Sequence, residues 1–238
     1  MSVHTIVLAA GEGSRMKSKR AKSLQRIGGT SMLHKICTTA GKISPKITLV
    51  VGFDQDSVIK EANEYNLEIS IAEQPKAIGT GDAVKCGLTQ VEKESKVLVL
   101  YGDVPLIQED TLRKLIETSD DSLSILTTVL DNPYGYGRVA KDDSGNALSI
   151  VEEKDATDVE REINEIFTGV LCGPKSLLDE GLSIINNNNA AGEYYLTDLI
   201  SIINEKGYKI KTHEASNNEV KGANNKAELA ELEAIYRD

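Results

Sequence analysis

Three short segments of this chain carry the residue types that handle phosphate. In the first, Leu8-Ala-Ala-Gly-Glu-Gly-Ser-Arg15, glycines follow an apolar run and let backbone N–H groups approach an anion, while Arg15 and Lys22 supply fixed positive charge. A bare Gly-x-Gly serves equally as a turn whose glycines meet only a geometric need, and it is the two cations that tip the reading toward an anion site. The segment is not a dinucleotide fingerprint, because Met16 stands where the third glycine belongs, and no Walker pattern ending in Gly-Lys-Ser/Thr exists. The second segment, Gly79-Thr80-Gly81, opens a helical stretch and either presents N–H groups to a nucleotide or uses Thr80 simply as a cap. The third, Tyr101-Gly-Asp-Val-Pro-Leu-Ile107, sets Asp103 just past an apolar strand, as a hard oxygen ligand for Mg²⁺ or as an ordinary turn or capping Asp. Backbone cradles, fixed cations and a carboxylate-held metal are the parts that phosphoryl transfer uses together.

The elements that must position these segments follow from hydrophobic period. Apolar β-type runs at Val3–Ala10, Ile47–Val51, Ile69–Ala72 and Lys96–Tyr101 alternate with helix-like stretches at Met32–Lys42, Ser57–Tyr65, Gly81–Glu92 and Asp110–Thr118. That order implies a parallel sheet with helices on both faces, whose ligands bind beyond the carboxyl ends of the strands, where all three segments lie. From about Ser122 the pattern changes to strands joined by polar turns: Ser124–Leu130, Gly137–Lys141, Ala147–Glu152 and Ile163–Cys172. Helices return at Lys175–Asn186 and Leu196–Glu205, followed by a strand at Lys209–His213 and a last helix at Asn225–Tyr236. Asn224 and Asn225 precede that helix and read as its caps.

Composition narrows the partners. The 238 residues are 40% hydrophobic and 27% charged, a globular balance, and only 4% aromatic with no Trp, so the core is aliphatic. A net charge of −10 opposes binding to duplex nucleic acid or an anionic membrane, while a small phosphorylated ligand needs only a local cluster such as Lys17-Ser-Lys-Arg-Ala-Lys22. Cys37, Cys86 and Cys172 are widely spaced and read as small core residues in a reducing cell. With no charged leader and no apolar stretch of ~20 residues, a cytoplasmic protein is expected. His4, His34 and His213 show no metal-ligand spacing.

Taken in order, Leu8-Ala-Ala-Gly-x-Gly-x-Arg15-Met with Lys22, Gly79-Thr-Gly81, Tyr101-Gly-Asp-Val-Pro105, Gly135-Tyr-Gly-Arg138, Val151-Glu-Glu-Lys-Asp-Ala156, Gly192-Glu-Tyr-Tyr-Leu-Thr-Asp198 and Gly222-Ala-Asn-Asn225 resemble the uridyltransferase domain of bacterial N-acetylglucosamine-1-phosphate uridyltransferases. The match runs over nearly the whole chain. The resemblance implies an α/β, Rossmann-like nucleotidyltransferase fold: a mostly parallel central sheet flanked by helices, with a smaller mixed or antiparallel sugar-binding extension. It further implies one domain over 1–238, divided into a nucleotide-binding half (1–121), a sugar-binding half (122–224) and a C-terminal helix (225–238). The implied reaction joins UTP to N-acetylglucosamine 1-phosphate with Mg²⁺, giving the cell-wall precursor UDP-N-acetylglucosamine and pyrophosphate. By position in the family, Arg15 and Lys22 act on the triphosphate, and Asp103 with Asn224 holds the metal. The nucleotide is lined by Leu8, Ala9, Ala10, Gly11 and Gly13, by Gln74, Gly79 and Thr80, and by Tyr101 and Gly102. Gly137, Glu152 and Thr168 face the sugar.

Departures from the family pattern bear on specificity. Ala21 stands where the family has Pro, Ala77 where it has Gln, and Phe167 where it has an Asn that contacts the amino sugar. A phenyl ring cannot replace those hydrogen bonds, which are worth about 1–3 kcal/mol each when left unmade. Two alternatives therefore stand beside the first reading: a nucleotidylyltransferase for another sugar 1-phosphate, and a nucleotide-sugar-binding module without turnover. Relatives of this kind continue into a β-helix of hexapeptide repeats that transfers acetyl groups; these 238 residues contain no such repeats, and acetyl transfer is not expected of them.

Overall fold

A computed structural model describes residues 2–119 and 121–237. Strand β1 (Ser2–Leu8) leads to a two-stranded hairpin, β2 (Arg26–Ile27) and β3 (Thr30–Ser31), and then to helix α1 (Met32–Gly41). Next come β4 (Lys46–Val51), α2 (Gln55–Ala62), β5 (Ile69–Glu73), α3 (Thr80–Leu88), β6 (Ser95–Tyr101) and α4 (Glu109–Glu117). The second half runs β7 (Ser124–Val129), β8 (Arg138–Lys141), β9 (Ala147–Val151), α5 (Asp158–Arg161), β10 (Glu165–Pro174), α6 (Lys175–Leu182), α7 (Asp198–Glu205), β11 (Lys211–Glu214), α8 (Asn217–Val220) and α9 (Lys226–Arg237).

The main sheet has the order β11-β7-β10-β6-β1-β4-β5, with the β8–β9 hairpin attached to β10. Strands β6, β1, β4 and β5 are mutually parallel. β10 runs antiparallel to both β6 and β7, and β11 lies parallel to β7. The change of pattern after Ser122 thus extends the same sheet, and only β8–β9 leaves its line. The reason is burial: Ile125 and Leu126 of β7 and Val170 and Leu171 of β10 are fully covered, so these strands need a layer on each face.

Alternation along the central strands divides the core into two layers. Ile6, Leu8, Val97 and Val99 pack with Val84, Leu178 and Leu199 from α3, α6 and α7. Val7, Ala9, Leu98 and Leu100 pack with Leu33, Val58 and Leu112 from α1, α2 and α4. A third, small cluster of Ile27, Met32, Ala223 and Leu232 fastens α9 to the hairpin that follows Lys22.

Several helix boundaries differ from expectation: α2 ends at Ala62 rather than Tyr65 and α3 at Leu88 rather than Glu92, and two others have local hydrogen-bonding reasons. α7 begins at Asp198 rather than Leu196, because the Leu196 N–H donates to Thr80 Oγ1 and the Thr197 hydroxyl donates to Glu152. α6 stops at Leu182, short of Asn186, where Asn186 Oδ1 instead accepts the Asn188 N–H in a local turn. Among the described residues no helix is long and apolar enough to cross a membrane.

Candidate active site

β1 ends with Leu8 in register with Val50 of β4 and Tyr101 of β6, so the glycine loop and Asp103 leave the same edge of the sheet side by side. The Gly102 N–H donates to the Leu8 carbonyl at 2.9 Å, and a Cβ on Gly102 would lie 3.1 Å from that oxygen. Glycine there lets the turn carrying Asp103 stack on β1. Gly13, at φ +61°, plays a related part: a Cβ would stand 2.7 Å from Lys22 Cβ, so the loop crosses directly over the lysine stem. That stem is fixed from below, where the Ala21 N–H donates to Asp54 Oδ2 at 2.9 Å and Ala21, Ser23 and Leu24 are buried.

Lys22 thereby reaches the residues that sequence reading separates by 81 and 202 positions. Its ammonium pairs with the Asp103 carboxylate and donates to Asn224 Oδ1 at 2.7 Å. Of the two asparagines expected to cap α9, only Asn225 does so, its Oδ1 accepting the N–H groups of Ala227 and Glu228. Asn224 is held differently. Glu228 Oε2 accepts both its backbone N–H (2.7 Å) and its side-chain Nδ2–H (3.0 Å), which turns the amide oxygen toward Lys22.

Two cavities, of about 290 and 610 Å³, meet along a wall formed by Lys22, Thr80, Tyr101 and Asp103. The smaller is lined by Leu8–Gly11, Gln74 and Gly79, and also by Ser23, Ala77 and Glu193. Gln74 is fixed there by donating to the Gly79 carbonyl (3.0 Å) and Asp82 (2.9 Å). Gly79, at φ +129°, is required because a Cβ would fall 2.3 Å from the Tyr194 carbonyl oxygen. The Gly81 N–H is already committed to that same oxygen at 2.9 Å, so the start of α3 offers fewer free donors than its glycines suggest. Tyr101 stands between the cavities with its hydroxyl bonded to Thr80, and burial above all holds that phenol protonated well beyond its ordinary range.

The larger cavity is lined by Gly137, Glu152, Thr168 and Asn224, together with Tyr136, Phe167, Thr197 and Asn217. A Cβ on Gly137 would meet Ile150 at 2.7 Å, so glycine keeps the chain close to β9, which leads directly into Glu152. Glu152 accepts a hydrogen bond from Thr197 Oγ1 at 3.0 Å, and burial, followed by the charges of Asp198, Asp155 and Glu193, raises its pKa above the usual carboxylate value. Its neighbour Glu153 turns the other way and pairs with buried Arg138 at 2.6 Å. Thr168 lies in a bulge of β10, and its hydroxyl is used internally, donating to the Leu126 carbonyl at 2.8 Å.

Some expected residues stand apart. Arg15 is exposed in the turn Ser14–Met16 and lines neither cavity, though its charge reaches Tyr136 at the mouth of the larger one. Gly13 and Gly102 shape the site through close backbone approach. Tyr136, Thr197, Asn217 and Glu228 were not foreseen. Glu228 had a sequence signal, since Asn225-Lys-Ala-Glu228 has capping-box spacing.

The oxygen donors fit Mg²⁺ in kind and number. One carboxylate and one amide carbonyl converge on a single cationic group, and no cluster of three or more His, Cys, Asp or Glu side chains able to hold a metal occurs among the described residues. Mg²⁺ is commonly held by one or two protein oxygens with the remainder from water and substrate phosphate, whereas a caged structural metal needs more.

Residues 5–155 match the family of MobA-like NTP transferase domains. The bifunctional protein GlmU of Francisella philomiragia is 43% identical over 239 residues, covering 100% of this chain and 52% of that protein. GlmU of Alcanivorax borkumensis is 42% identical with the same coverage. The chain thus spans about half the length of the curated relatives it matches. Among solved structures, a protein described as a glucose-1-phosphate thymidylyltransferase from Bacillus anthracis, in complex with sucrose, superposes with a TM-score of 0.78 at 18% identity, covering 100% of this chain and 96% of that one. A nucleotidyl transferase from Methanothermobacter gives 0.68 at 17% identity, with 99% and 98% covered. At those identities the likeness concerns the fold.

Proposed function

The chain belongs to the MobA-like NTP transferase family, and from that premise we propose that it transfers a uridylyl group from UTP to N-acetylglucosamine 1-phosphate, releasing pyrophosphate, in the cytoplasm. The observation that carries this reading is the shared wall: two cavities separated by Lys22, Thr80, Tyr101 and Asp103 suit two substrates that must react across it. The smaller takes the nucleotide and the larger takes the sugar phosphate. Three free cysteines, with Cys37 and Cys172 buried, fit a reducing compartment.

The chemistry asks little covalent work of the protein. A phosphate oxygen of the sugar 1-phosphate bonds to the α-phosphorus of UTP as the bond from that phosphorus to the bridging oxygen breaks, and pyrophosphate leaves with the electron pair. The nucleophile is already anionic, so no strong general base is needed, and orientation with charge stabilisation supplies the rate. Gln74, Thr80 and the backbone of Leu8–Gly11 orient the nucleotide. Lys22 places positive charge where the two cavities meet, and Glu152 accepts a hydroxyl proton of the sugar in a hydrogen bond. Arg15, exposed on the turn that follows Gly13, adds positive charge beside Tyr136 of the larger cavity. Asp103 and Asn224 would hold Mg²⁺, which when bound would supply positive charge to offset that of the phosphates.

Incubation with UTP, N-acetylglucosamine 1-phosphate and Mg²⁺ should yield UDP-N-acetylglucosamine and pyrophosphate in equal amounts. A second reading, transfer to a different sugar 1-phosphate, is favoured by one observation: the apolar Phe167 is among the residues lining the larger cavity. Turnover with another sugar phosphate and none with the N-acetylated one selects it, and binding without turnover on any pair excludes both.

A further inference from the structure

Lys22 holds a position unlike that of an ordinary substrate-binding lysine. Its ammonium contacts both Asp103 and Asn224, the oxygen pair that suits a divalent cation, and the two charged side chains are only 20% and 16% exposed. Both oxygens are aimed at it by other groups. Asp103 is set by the turn stacked on β1, with the Gly222 backbone packed against its carbonyl, and Asn224 is set by Glu228. Gly13 packs across the lysine stem from Cβ to Cδ, so only the Cε–Nζ end lies beyond that contact, and Lys22 lines both cavities.

We propose that the Lys22 ammonium is the resident counter-cation of Asp103 and Asn224, and that it yields this oxygen pair to a divalent metal only when a triphosphate in the smaller cavity draws it away. The nucleotidyltransferase reading enters only in naming the anion. Without such an anion, a metal must compete with a tethered cation whose local concentration never falls, so the free protein binds metal weakly. Once phosphates engage Lys22, the carboxylate and amide oxygens lose their partner and take up the ion. By linkage the effect is reciprocal: the metal releases Lys22 toward the phosphates as strongly as the phosphates release the oxygens toward the metal. The two substrate-activating charges are thereby delivered together, and neither is set in place without the nucleotide.

The test uses Mn²⁺ alone as probe, with no nucleotide or sugar present, reading free Mn²⁺ by electron paramagnetic resonance against the folded protein. Lys22→Met should bind Mn²⁺ at least about tenfold more tightly than the parent, within the range of ordinary coupling between two sites. Asp103→Ala in the Lys22→Met background should abolish that gain. Lys22→Gln, which keeps much of the length but not the charge, is measured in parallel, with circular dichroism confirming the fold, so that poor folding of one variant leaves the other. Mn²⁺ affinity unchanged or weakened on losing the Lys22 charge overturns the proposal. Because no turnover is involved, a failed substrate assay leaves this result standing, and an active enzyme with unchanged Mn²⁺ affinity sinks the counter-cation alone.

Discussion

Replacing Gly169 by Ala separates two physical costs that meet at the wall between the cavities. Gly169 sits in the bulge of β10 at φ +88°, and a Cβ there would stand 2.5 Å from Tyr101 Cε2 and 2.9 Å from Cζ. A left-handed alanine costs about 1–2 kcal/mol, and overpacking against the Tyr101 ring costs about 1–3 kcal/mol more. The sum, about 2–5 kcal/mol, corresponds to a Tm lower by about 4–20 °C for a chain of this size. Gly145 supplies the control, because its φ is +83° yet nothing lies within 4 Å of its would-be Cβ. Gly145→Ala should therefore show the conformational cost alone, about 2–8 °C. Differential scanning calorimetry reads both, and urea titration checks that the transition remains cooperative. Tyr101 also divides the two cavities, so below its Tm the Gly169 variant should lose activity that the Gly145 variant keeps. If Gly169→Ala proves no less stable than Gly145→Ala, the ring does not hold the position assigned to it.

Other expectations follow from the same geometry. Glu152 holds its proton more tightly folded than unfolded, so its contribution to stability is present below the ordinary glutamate pKa of 4.5 and lost as pH rises through the elevated folded value. Glu152→Gln should accordingly be more stable than the parent at neutral pH, with the difference closing on acidification, while uridylyl transfer falls; thermal melts across pH read it, and a variant less stable at neutrality contradicts it. Glu228→Ala frees the Asn224 amide and should raise the Mg²⁺ concentration for half-maximal rate by about tenfold, the low end for a group orienting a metal ligand, with kcat at saturating Mg²⁺ largely kept and Glu228→Gln intermediate. Phe167→Asn gives up buried aromatic contact, about 3 kcal/mol of stability. In a panel of sugar phosphates it should shift kcat/KM toward N-acetylglucosamine 1-phosphate by about 5- to 150-fold, the worth of one or two hydrogen bonds.

Much of this was legible because strand ends and glycines announce themselves locally. A run such as Val3–Ala10 followed by Gly11-Glu-Gly13 specifies a strand and the edge at which its loop emerges, and the β-α alternation places Asp103 on that same edge. What the residues alone concealed were long-range choices. Nothing in Glu165–Pro174 says that it enters between β6 and β7 antiparallel to both, since an apolar strand suits either direction. The difference between Asn224 and Asn225 is likewise invisible one residue at a time, because it depends on Glu228 taking the Asn224 amide while the Asn225 oxygen caps the helix. Arg15 and Lys22 look equivalent in the sequence. They part in the structure because Lys22 follows a buried residue anchored to Asp54, while Arg15 sits on an exposed turn.

If the proposed function holds, Lys22 and Asp103 act as one unit on substrates held in two adjoining cavities. A double-mutant cycle on Mg²⁺-dependent pyrophosphate release, comparing Lys22→Ala, Asp103→Ala and the pair, decides whether they do. Each single change should cost about 10²–10³-fold in kcat, and the double variant should be scarcely worse than the poorer single one, as for residues that work together. Losses that multiply, with the double variant slower by the product of the two, would contradict a shared site.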